Sequence, residues 1–377
     1  MKQEWTYKKF TDVCDVQYGY AFDSKCFTDD ESAMPLIRIR DVMRGYSETF
    51  YNGDIPEGYA INEGDYLVGM DGEFNIGRWG KRPGLLNQRV CKMATSSPLL
   101  YNQYMYYFMK VCLKSIEDET PFVTVKHLSA KRINQIQIPL PPLSVQQSIV
   151  AELDEINNLL SLKRKELDTY DKLAQSLFYE MFGDPVENEK GWEVKKLGEI
   201  GELARGVSKH RPRNAPELLG GTMPLIQTGD VANADFYINS YSSTYSDLGV
   251  AQSKIWESGT LCITIAATIG KCAILGFTAC FPDSVVGFKP YENTDTIYMY
   301  YIFSNMQKML EDFAPGVAQK NINLKILNDL RIPLPPLPLQ QQFAQRIEAI
   351  EAQKANVKSA IEKLETLLAA RMQYWFE

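Results

Sequence analysis

Two long stretches of the chain carry apolar residues in alternating steps of four and three. The first stretch, residues 145–182, has them at Ile149, Leu153, Ile156, Leu160, Leu167, Tyr170, Ala174, Leu177 and Met181. The second, residues 337–377, has them at Phe343, Ile347, Ile350, Val357, Ile361, Leu364 and Leu368. Lys163 and Lys354 interrupt the two series. This spacing predicts two long helices with a heptad seam, the first about 50 Å long, and Gly183 and Pro185 predict where that helix ends.

The same proline-rich phrase precedes each of these stretches. It is IPLPPLSVQQ at residues 138–147 and IPLPPLPLQQ at residues 332–341, with eight of the ten positions identical. Around it, residues 123–150 and 317–344 match at 12 of 28 positions. Further upstream, MPLIRIRDV at residues 34–42 corresponds to MPLIQTGDV at residues 223–231. The chain is therefore predicted to contain two diverged copies of one module, which share a scaffold and carry two different surfaces.

The prolines of the phrase indicate a stiff, extended joint between a compact module and a helix. Proline lacks an amide hydrogen and has a fixed φ, so we expect the phrase to continue neither a strand ladder nor a helix. An SH3-type ligand is an alternative, but no flexible tail surrounds the phrase. Short β-prone runs predict an α+β fold class with two tandem mixed α/β modules. The predicted boundaries are 1–142 for the first module, 143–183 for the first helix, 184–191 for a linker, 192–336 for the second module and 337–377 for the second helix.

The composition is that of a soluble globular protein. Apolar residues make up 45% of the chain and charged residues 23%, and no apolar run approaches the roughly 18–20 residues that span a bilayer. The first residues show no signal-sequence core, and the seven cysteines form no CxxC pair. We therefore expect a cytoplasmic protein with reduced thiols, no membrane association and no metal site.

No catalytic motif stands out in the sequence. It contains no phosphate-binding GxxxxGK[ST] loop and no glycine motif for a nucleotide or a methyl donor. The two histidines, His127 and His210, fit local hydrogen bonds or phosphate contacts better than general-base roles. The chain by itself is therefore predicted to be non-catalytic.

Charge is unevenly distributed along the chain. The formal net charge is −7, and residues 141–190 hold five basic and ten acidic groups, so most of the deficit lies on the first long helix and the linker that follows it. Each module nevertheless contains one basic stretch in a Gly- and Pro-containing context, RWGKRPGLLNQR at residues 78–89 and RGVSKHRPR at residues 205–213. Such patches predict contact with nucleic acid despite a net acidic chain. The candidate DNA-binding residues are Arg78, Lys81, Arg82, Arg89, Arg205, Lys209, Arg211, Arg213 and Lys271.

Three motifs together carry a resemblance to a known family. They are the doubled IPLPPL-x-x-QQ phrase, SLFYEMFGDP at residues 176–185 and AQKNINLKIL at residues 318–327. With these motifs the chain resembles the specificity subunit of type I restriction–modification systems. The third motif adds Gln319, Lys320 and Asn321 to the candidate DNA-binding residues. The first module keeps only Lys126 and Lys131 at matching positions.

The resemblance implies that each module is a target recognition domain for one half of a split, asymmetric site on double-stranded DNA. It implies that the two helices pair antiparallel as a coiled-coil spacer, and two modules related by a pseudo-twofold axis suit such a site. The implied partners are two modification subunits that use S-adenosylmethionine and restriction subunits that use ATP and magnesium, with no cofactor in this chain. Glu152, Asp154 and Glu155 are candidate contacts for a partner.

Two alternatives remain open from the residues alone. In the first alternative, the chain is a stand-alone DNA-binding scaffold without a methyltransferase partner. In the second, it is a nuclease with an unrecognised active site. A copurifying methyltransferase argues against the first alternative, and magnesium-dependent cleavage by the purified chain supports the second.

Overall fold

The computed structural model describes residues 5–80, 82–120, 126–266, 269–312 and 322–377. The chain divides into two compact units. Unit 1 comprises residues 1–164 with residues 359–377, and unit 2 comprises residues 165–358. Within the described ranges, no helix combines the length and the apolar character that a membrane crossing needs.

Unit 1 contains eleven strands among its described residues. They are β1 (Thr6–Lys9), β2 (Cys14–Tyr18), β3 (Phe27–Thr28), β4 (Met34–Ile37), β5 (Phe50–Tyr51), β6 (Ala60–Ile61), β7 (Tyr66–Gly69), β8 (Ile76–Arg78), β9 (Gly84–Leu86), β10 (Val90–Thr95) and β11 (Gln137–Leu140). Its helices are α1 (Ile39–Val42), α2 (Asn102–Glu119), α3 (Ala130–Ile133) and the first part of α4 (Leu143–Phe182). Two 3₁₀ turns cover Phe10–Asp12 and Ser24–Cys26.

Unit 2 begins with the rest of α4 and repeats this order of elements. Its strands are β12 (Val194–Lys196), β13 (Gly201–Arg205), β14 (Leu219–Leu225), β15 (Tyr237–Ile238), β16 (Ser243–Tyr245), β17 (Ile255–Trp256), β18 (Leu261–Thr264), β19 (Cys272–Leu275), β20 (Ala279–Cys280), β21 (Val285–Pro290) and β22 (Arg331–Pro333). Its helices are α5 (Leu197–Ile200), α6 (Thr228–Asn233), α7 (Asp247–Ala251), α8 (Thr296–Asp312), α9 (Leu324–Asn328) and most of α10 (Leu337–Phe376). A 3₁₀ turn covers Pro216–Leu218.

The sheets of the two units have the same topology. An antiparallel sheet has the order β2-β10-β7-β8 in unit 1 and β13-β21-β18-β19 in unit 2, where β15 extends it. A second sheet has the order β5-β4-β9-β6 in unit 1, where β3 extends it beyond β5, and β16-β14-β20-β17 in unit 2. The pairs β4–β9 and β14–β20 are parallel, and the other pairs of this second sheet are antiparallel. The predicted internal repeat of two mixed α/β modules is therefore confirmed.

The proline phrase lies partly in a strand, contrary to our expectation. Strand β11 pairs with β1 so that Pro139 faces Tyr7, and β22 pairs with β12 so that Pro333 faces Val194. Each sheet has only two strands, so a proline without an amide hydrogen can turn its nitrogen away from the partner strand. The phrase thus closes the module onto its own first strand before the long helix begins.

A buried glutamine explains the polar end of the phrase. The side-chain amide of Gln146 donates to the carbonyl oxygens of Leu99 and Pro141, both at 2.8 Å, and its oxygen accepts the Tyr101 amide at 2.8 Å. This residue is completely buried. Buried backbone groups that lose water need partners. The side chain therefore supplies partners to three backbone groups, one of them fully buried, where the prolines and α2 leave them without secondary-structure partners.

Gln340 makes the same three bonds in unit 2. Its amide donates to Pro335 at 2.7 Å and to Asn293 at 3.3 Å, and its oxygen accepts the Asp295 amide at 2.9 Å. It is also completely buried. We call Gln146 and Gln340 the latch glutamines. Their identical contacts show that the phrase is repeated because each module is fastened to its helix in the same way.

The long helices run antiparallel within each unit. In unit 1, Arg371 Nη2 lies 2.9 Å from Glu152 Oε2, and Arg164 Nη2 lies 2.7 Å from Glu365 Oε1. In unit 2, Lys354 Nζ lies 2.8 Å from an oxygen of Asp171, and Phe178 packs against Phe343. Residue numbers that rise on one helix and fall on the other define an antiparallel pair. The predicted antiparallel helices are therefore confirmed.

Each unit buries one large apolar core against these helices. In unit 1, α2 covers the antiparallel sheet, and its buried residues join Ile149 and Leu153 of α4 and Phe376 of α10. In unit 2, α8 takes the same place and joins Phe178 and Phe182 of α4. The heptad positions thus serve two purposes, since some face the other helix and some face a module.

Candidate nucleic-acid interface

In unit 1, several loops meet at the end of the sheet where β2 and β7 finish and β10 begins. The Gly19 amide donates to the Val90 carbonyl at 3.0 Å, and the Met70 amide donates to the Arg89 carbonyl at 2.9 Å. A Cβ on Gly19 would lie 1.9 Å from the carbonyl oxygen of Asn87. Only glycine permits so close a crossing of two backbones. We call this end of the sheet the charged edge of unit 1.

Unit 2 has the same construction at the corresponding end of its sheet. The Gly206 amide donates to the Val285 carbonyl at 2.9 Å, and the Ile265 amide donates to the Ser284 carbonyl at 3.2 Å. A Cβ on Gly206 would lie 2.0 Å from the carbonyl oxygen of Phe281. This end is the charged edge of unit 2. The backbone that shapes it is conserved between the copies, so differences between the edges come from side chains.

Three charged or titratable side chains converge at the charged edge of unit 1. Arg89 Nε lies 3.5 Å from one carboxylate oxygen of Asp71, and His127 Nδ1 donates to the other at 2.5 Å. The backbone holds the same segments together, because the Gly72 amide donates to the Lys126 carbonyl at 2.9 Å. The three side chains come from separate loops that only the fold brings together.

Arg89 has an unusual backbone conformation. Its φ is +70°, in the left-handed region, which costs a residue with a Cβ roughly 1–2 kcal/mol. The neighbouring Tyr18 ends β2 and is about one-third exposed. Burial of part of its ring raises the pKa of the Tyr18 hydroxyl, so this group stays protonated and able to donate a hydrogen bond at neutral pH.

At the charged edge of unit 2, two arginines share one carboxylate. Arg213 Nη2 lies 2.5 Å and Arg211 Nη2 lies 3.7 Å from oxygens of Asp283. Arg211 Nη1 also donates to the carbonyls of Ser208 at 2.6 Å and His210 at 2.8 Å. Arg211 therefore uses much of its donor capacity to fold its own loop, and Arg213 keeps more of its guanidinium for an external ligand.

The loop that carries these arginines is held at its start by one amide side chain. Gln252 Oε1 accepts the backbone amides of Lys209 at 2.6 Å and His210 at 3.0 Å. Arg205 ends β13 at this edge, opposite Val286. Lys271 precedes β19 at the same edge. The structure thus brings together Arg205, Lys209, Arg211, Arg213 and Lys271, all five of which are sequence-predicted candidates.

The candidates of unit 1 are separated instead. Arg78 ends β8 opposite Tyr66, at the far end of β7 from Asp71, and the four residues of β7 span about 10 Å. Arg82 donates to the carbonyls of Glu31 at 2.6 Å and Ala33 at 2.7 Å and so fastens a turn. Arg89 alone of these lies at the charged edge. Predictions at Lys81, Gln319, Lys320 and Asn321 fall outside the described residues.

The surroundings of Arg82 also disfavour a phosphate. The cavity beside it has a volume of about 670 Å³ and is lined by the acidic residues Asp29, Glu31 and Glu48. Carboxylates close to a guanidinium oppose the approach of an anion. Within the part of the chain that the structure describes, no group of three or more His, Cys, Asp or Glu side chains could hold a metal ion.

Known protein families match the chain twice, once for each module. Residues 2–169 and 189–366 each match the family described as "Type I restriction modification DNA specificity domain". The chain belongs to the type I restriction–modification DNA specificity family. Each match covers one module with most of the helix that follows it, which agrees with the duplicated latch and sheet topology. The resemblance inferred from the motifs is therefore confirmed.

Relatives of this specificity chain extend over most of its length. The specificity subunit of the type I restriction enzyme EcoBI from Escherichia coli is 28% identical, and the match covers 95% of this chain and 81% of the relative. A putative type I specificity subunit from Methanocaldococcus jannaschii, MjaX, is 24% identical, with coverage of 97% and 93%. These matches run through both modules and both helices.

Solved structures share the fold. The type I system S subunit from M. genitalium superposes with a TM-score of 0.60 at 15% identity, covering 100% of this chain and 97% of that one. A chain from a study of complex assembly and conformational transition of the type I R-M system gives a TM-score of 0.62 at 17% identity, with coverage of 99% and 97%. Two specificity modules with long helices are therefore the fold of this chain.

Sequence patterns missed Asp71 and Asp283 at the charged edges of this specificity chain and did not foresee the partner of His127. Asp71 pairs with a histidine 56 positions away, and Asp283 lies about 70 positions from the arginines that it pairs with. His127 was expected only to make local or phosphate contacts. Acidic residues were not among the candidates because a search for basic stretches cannot show which carboxylates the fold brings beside them.

Proposed function

We propose that this chain is the sequence-recognition subunit of a type I restriction–modification complex and reads a bipartite, asymmetric DNA site. One observation supports this best. The two charged edges occupy the same place on two copies of one scaffold, but they carry different side chains. A reader with two different contact surfaces on related modules needs two different half-sites.

The proposal is tested by expressing the chain with its methyltransferase partner and mapping methylated adenines in cellular DNA. We expect one motif made of two unlike half-sites separated by unread base pairs. Exchanging the charged-edge residues of unit 2 for alanine should alter only one half-site. A contiguous motif, a palindromic motif or no methylation that depends on this chain would overturn the proposal. Magnesium-dependent cleavage by the purified chain would support a nuclease instead.

The long helices are proposed to dock the modification subunits through an apolar surface rather than through acidic groups. Glu152 is paired with Arg371, and Asp154 accepts the Tyr107 hydroxyl at 2.5 Å. Leu162 on α4 is 60% exposed and Leu367 on α10 is 45% exposed. Contiguous exposed apolar side chains mark surfaces that a partner covers, and an amphipathic helix is one kind of partner that fits such a surface.

This docking surface can be tested with one double variant. Leu162→Glu with Leu367→Glu should prevent copurification of the methyltransferase, because charge would be buried under the partner helix. Ser161→Glu is the matched control, since Ser161 is an exposed neighbour on the same helix and should have no effect. Retention of the partner by the double variant would rule out this surface.

The helices are also proposed to set the distance between half-sites. Deleting residues 160–166 and 354–360 removes one heptad from each helix and keeps both seams in register. The spacer would shorten by roughly 10 Å, which is about three base pairs of B-DNA if the helices follow the DNA axis. Methylation mapping should then find the same half-sites closer together. An active variant with the original spacing would show that the helices are not the spacer.

The chemistry of the complex is assigned to its other subunits. S-adenosylmethionine would be bound by the modification subunits, and ATP with magnesium by restriction subunits, while this chain supplies sequence recognition from the cytoplasm. The supporting argument is the absence of catalytic sequence motifs noted above. Methyl transfer by the complex, and none by the purified chain with S-adenosylmethionine, is the expected result.

A further inference from the structure

The charged edge of unit 1 holds a single arginine in a defined orientation. Arg89 meets the Asp71 carboxylate through its Nε, at 3.5 Å. The two terminal nitrogens are thereby left at the outer end of the guanidinium, and the side chain is 55% exposed. In Arg82 and Arg211 the terminal nitrogens are instead bound to carbonyl oxygens of their own unit.

A fork of two parallel N–H donors is what recognises guanine in the major groove. Arginine donates to O6 and N7 of guanine, and this pairing is the commonest specific contact between protein and DNA. The contact needs both donors at a fixed angle, and an arginine whose Nε side faces a carboxylate leaves both terminal nitrogens for it. A lysine, with one point charge, cannot reproduce the two parallel bonds.

The orientation is fixed from three directions. The backbone of Arg89 is pinned through its carbonyl by the Met70 amide at 2.9 Å, and it keeps a φ of +70° despite the cost for a residue with a Cβ. Asp71 is in turn held by His127 Nδ1 at 2.5 Å. His127 is tied to the sheet through the neighbouring Leu128 amide, which donates to the Met70 carbonyl at 2.7 Å.

The net charge of the Arg89–Asp71 pair distinguishes recognition of a base from contact with a phosphate. The Arg89–Asp71 pair has no net charge, so it attracts a phosphate only weakly and releases few counterions on binding. A base edge is uncharged and is recognised by hydrogen-bond geometry, which the pair preserves. The charged edge of unit 2 carries five cations, of which only Arg211 and Arg213 pair with Asp283, and it fits phosphate contacts better.

We propose that Arg89 reads a guanine in the half-site recognised by unit 1, and that Asp71 and His127 are positioning residues that fix its guanidinium. This inference rests on the proposed function and deepens it, since it names the base and the residue that selects it. The Asp71 carboxylate and the His127 imidazole would not themselves touch the base.

The experiment uses the complete complex of this chain with its methyltransferase. Binding is measured by competition between duplexes in which each base pair of the half-sites is replaced in turn, at several salt concentrations. The variants are Arg89→Lys, Arg89→Ala and Asp71→Asn. Arg44→Ala is the control, because Arg44 is an exposed arginine of the same unit that is paired with Glu48 and is not among the DNA-binding candidates.

We expect Arg89→Lys and Arg89→Ala to lose roughly 5- to 150-fold discrimination at one G·C pair. Discrimination at all other pairs and the salt dependence should stay as in the wild type. Asp71→Asn should lower discrimination at that same pair by a smaller factor, which a merely structural role would not do, since weakening the fold would affect every pair of the half-site equally. Arg44→Ala should leave discrimination unchanged.

Three outcomes would overturn the inference. Full discrimination by Arg89→Lys would exclude a bidentate contact. Uniform loss of discrimination across the half-site would make Arg89 a structural residue. A smaller salt slope in Arg89→Ala, that is, a smaller fall of the logarithm of the binding constant with the logarithm of the salt concentration, would make it a phosphate-binding residue. These results differ from a failure of the proposed function, in which the wild-type complex would itself show no bipartite site.

Discussion

The two units keep the same interior contacts and differ at their charged edges. Both latch glutamines make three hydrogen bonds to corresponding groups. Tyr104 and Tyr298 likewise donate to the carbonyls of Pro139 at 3.2 Å and Pro333 at 2.5 Å. The charged edge of unit 1 carries a neutral Arg89–Asp71 pair, whereas the charged edge of unit 2 carries a cationic cluster. The contacts that fasten each module to its helix are thus the same in both units, whereas the side chains at the surface that would meet a ligand differ.

Energetics explains why the interior could not diverge in the same way. A buried amide that satisfies three backbone groups cannot be replaced without leaving those groups unpaired. An exposed arginine or lysine at a strand end loses little when it is changed, and surface substitutions usually alter stability by less than 0.5 kcal/mol. The comparison therefore predicts equal effects for interior variants and unequal effects for edge variants.

The largest effect is expected from the latch. Gln146→Leu and Gln340→Leu should each destabilise the chain by about 3 kcal/mol, because each removes three hydrogen bonds that a buried side chain makes to the backbone, at about 1 kcal/mol apiece. Urea denaturation of each variant measures this. Gln147→Ala and Gln341→Ala, at the exposed neighbouring positions, should be almost neutral. If one latch variant proved stable, the two modules would not be fastened in the same way.

Removing cations from the charged edge of unit 2 should have the next largest effect. For Lys209→Ala, Arg213→Ala and Lys271→Ala combined, three lost phosphate contacts would lower the salt slope by about 2.7. Between 50 and 200 mM salt, the wild-type complex should then lose about 40-fold more affinity than the variant.

A matched variant tests whether this effect depends on position. Lys195→Ala with Lys289→Ala removes two cations on β12 and at the far end of β21 and should leave the slope unchanged. Fluorescence anisotropy with labelled duplex at four salt concentrations measures both variants. An unchanged slope in the triple variant would remove this edge from the DNA interface.

Arg82 distinguishes a structural arginine from a DNA-binding one. Arg82→Ala should cost about 1–2 kcal/mol of stability, because it releases the turn carbonyls and a cation–π contact with Phe50. The salt slope should not change. Arg44→Ala, which removes only an exposed ion pair with Glu48, should change stability by less than about 0.5 kcal/mol. A lower salt slope in Arg82→Ala would show that Arg82 contacts a DNA phosphate after all.

The smallest effect concerns the helix pair of unit 1. Hydrogen bonds from Arg371 and Trp375 lower the pKa of Glu152 from its ordinary value. A carboxylate with a lowered folded-state pKa contributes stability above its unfolded pKa, near 4.5, and loses it as the pH falls through the folded value. Because both partners are about one-third exposed, Glu152→Gln should cost less than about 1 kcal/mol at pH 7.

Thermal unfolding at several pH values tests this assignment. The difference between the wild type and Glu152→Gln should be present at pH 7 and should shrink below pH 4.5. Glu155→Gln, at an exposed position on the same helix, is expected to behave like the wild type. A difference that persisted at pH 3 would assign the effect to packing rather than to charge.

Several features could be predicted from the sequence because they depend on periodicity or on repetition. The heptad steps predicted α4 and α10, and Gly183, with a φ of +77°, follows directly after the last residue of α4. The repeated phrase predicted two copies of one module. The role of the phrase was only partly predicted, since Pro139 lies in a strand and the functional residue of the QQ pair is the buried Gln146.

The sequence by itself determined the two modules, the two long helices and the family, because each of these is written in neighbouring or regularly spaced residues. Only the tertiary structure decided which charges meet. It placed Arg89 beside Asp71 and His127, gave Arg211 and Arg213 a shared carboxylate, and turned Arg82 toward a backbone turn. A charged side chain takes its role from the groups within a few ångströms of it, and the fold draws those groups from distant parts of the chain.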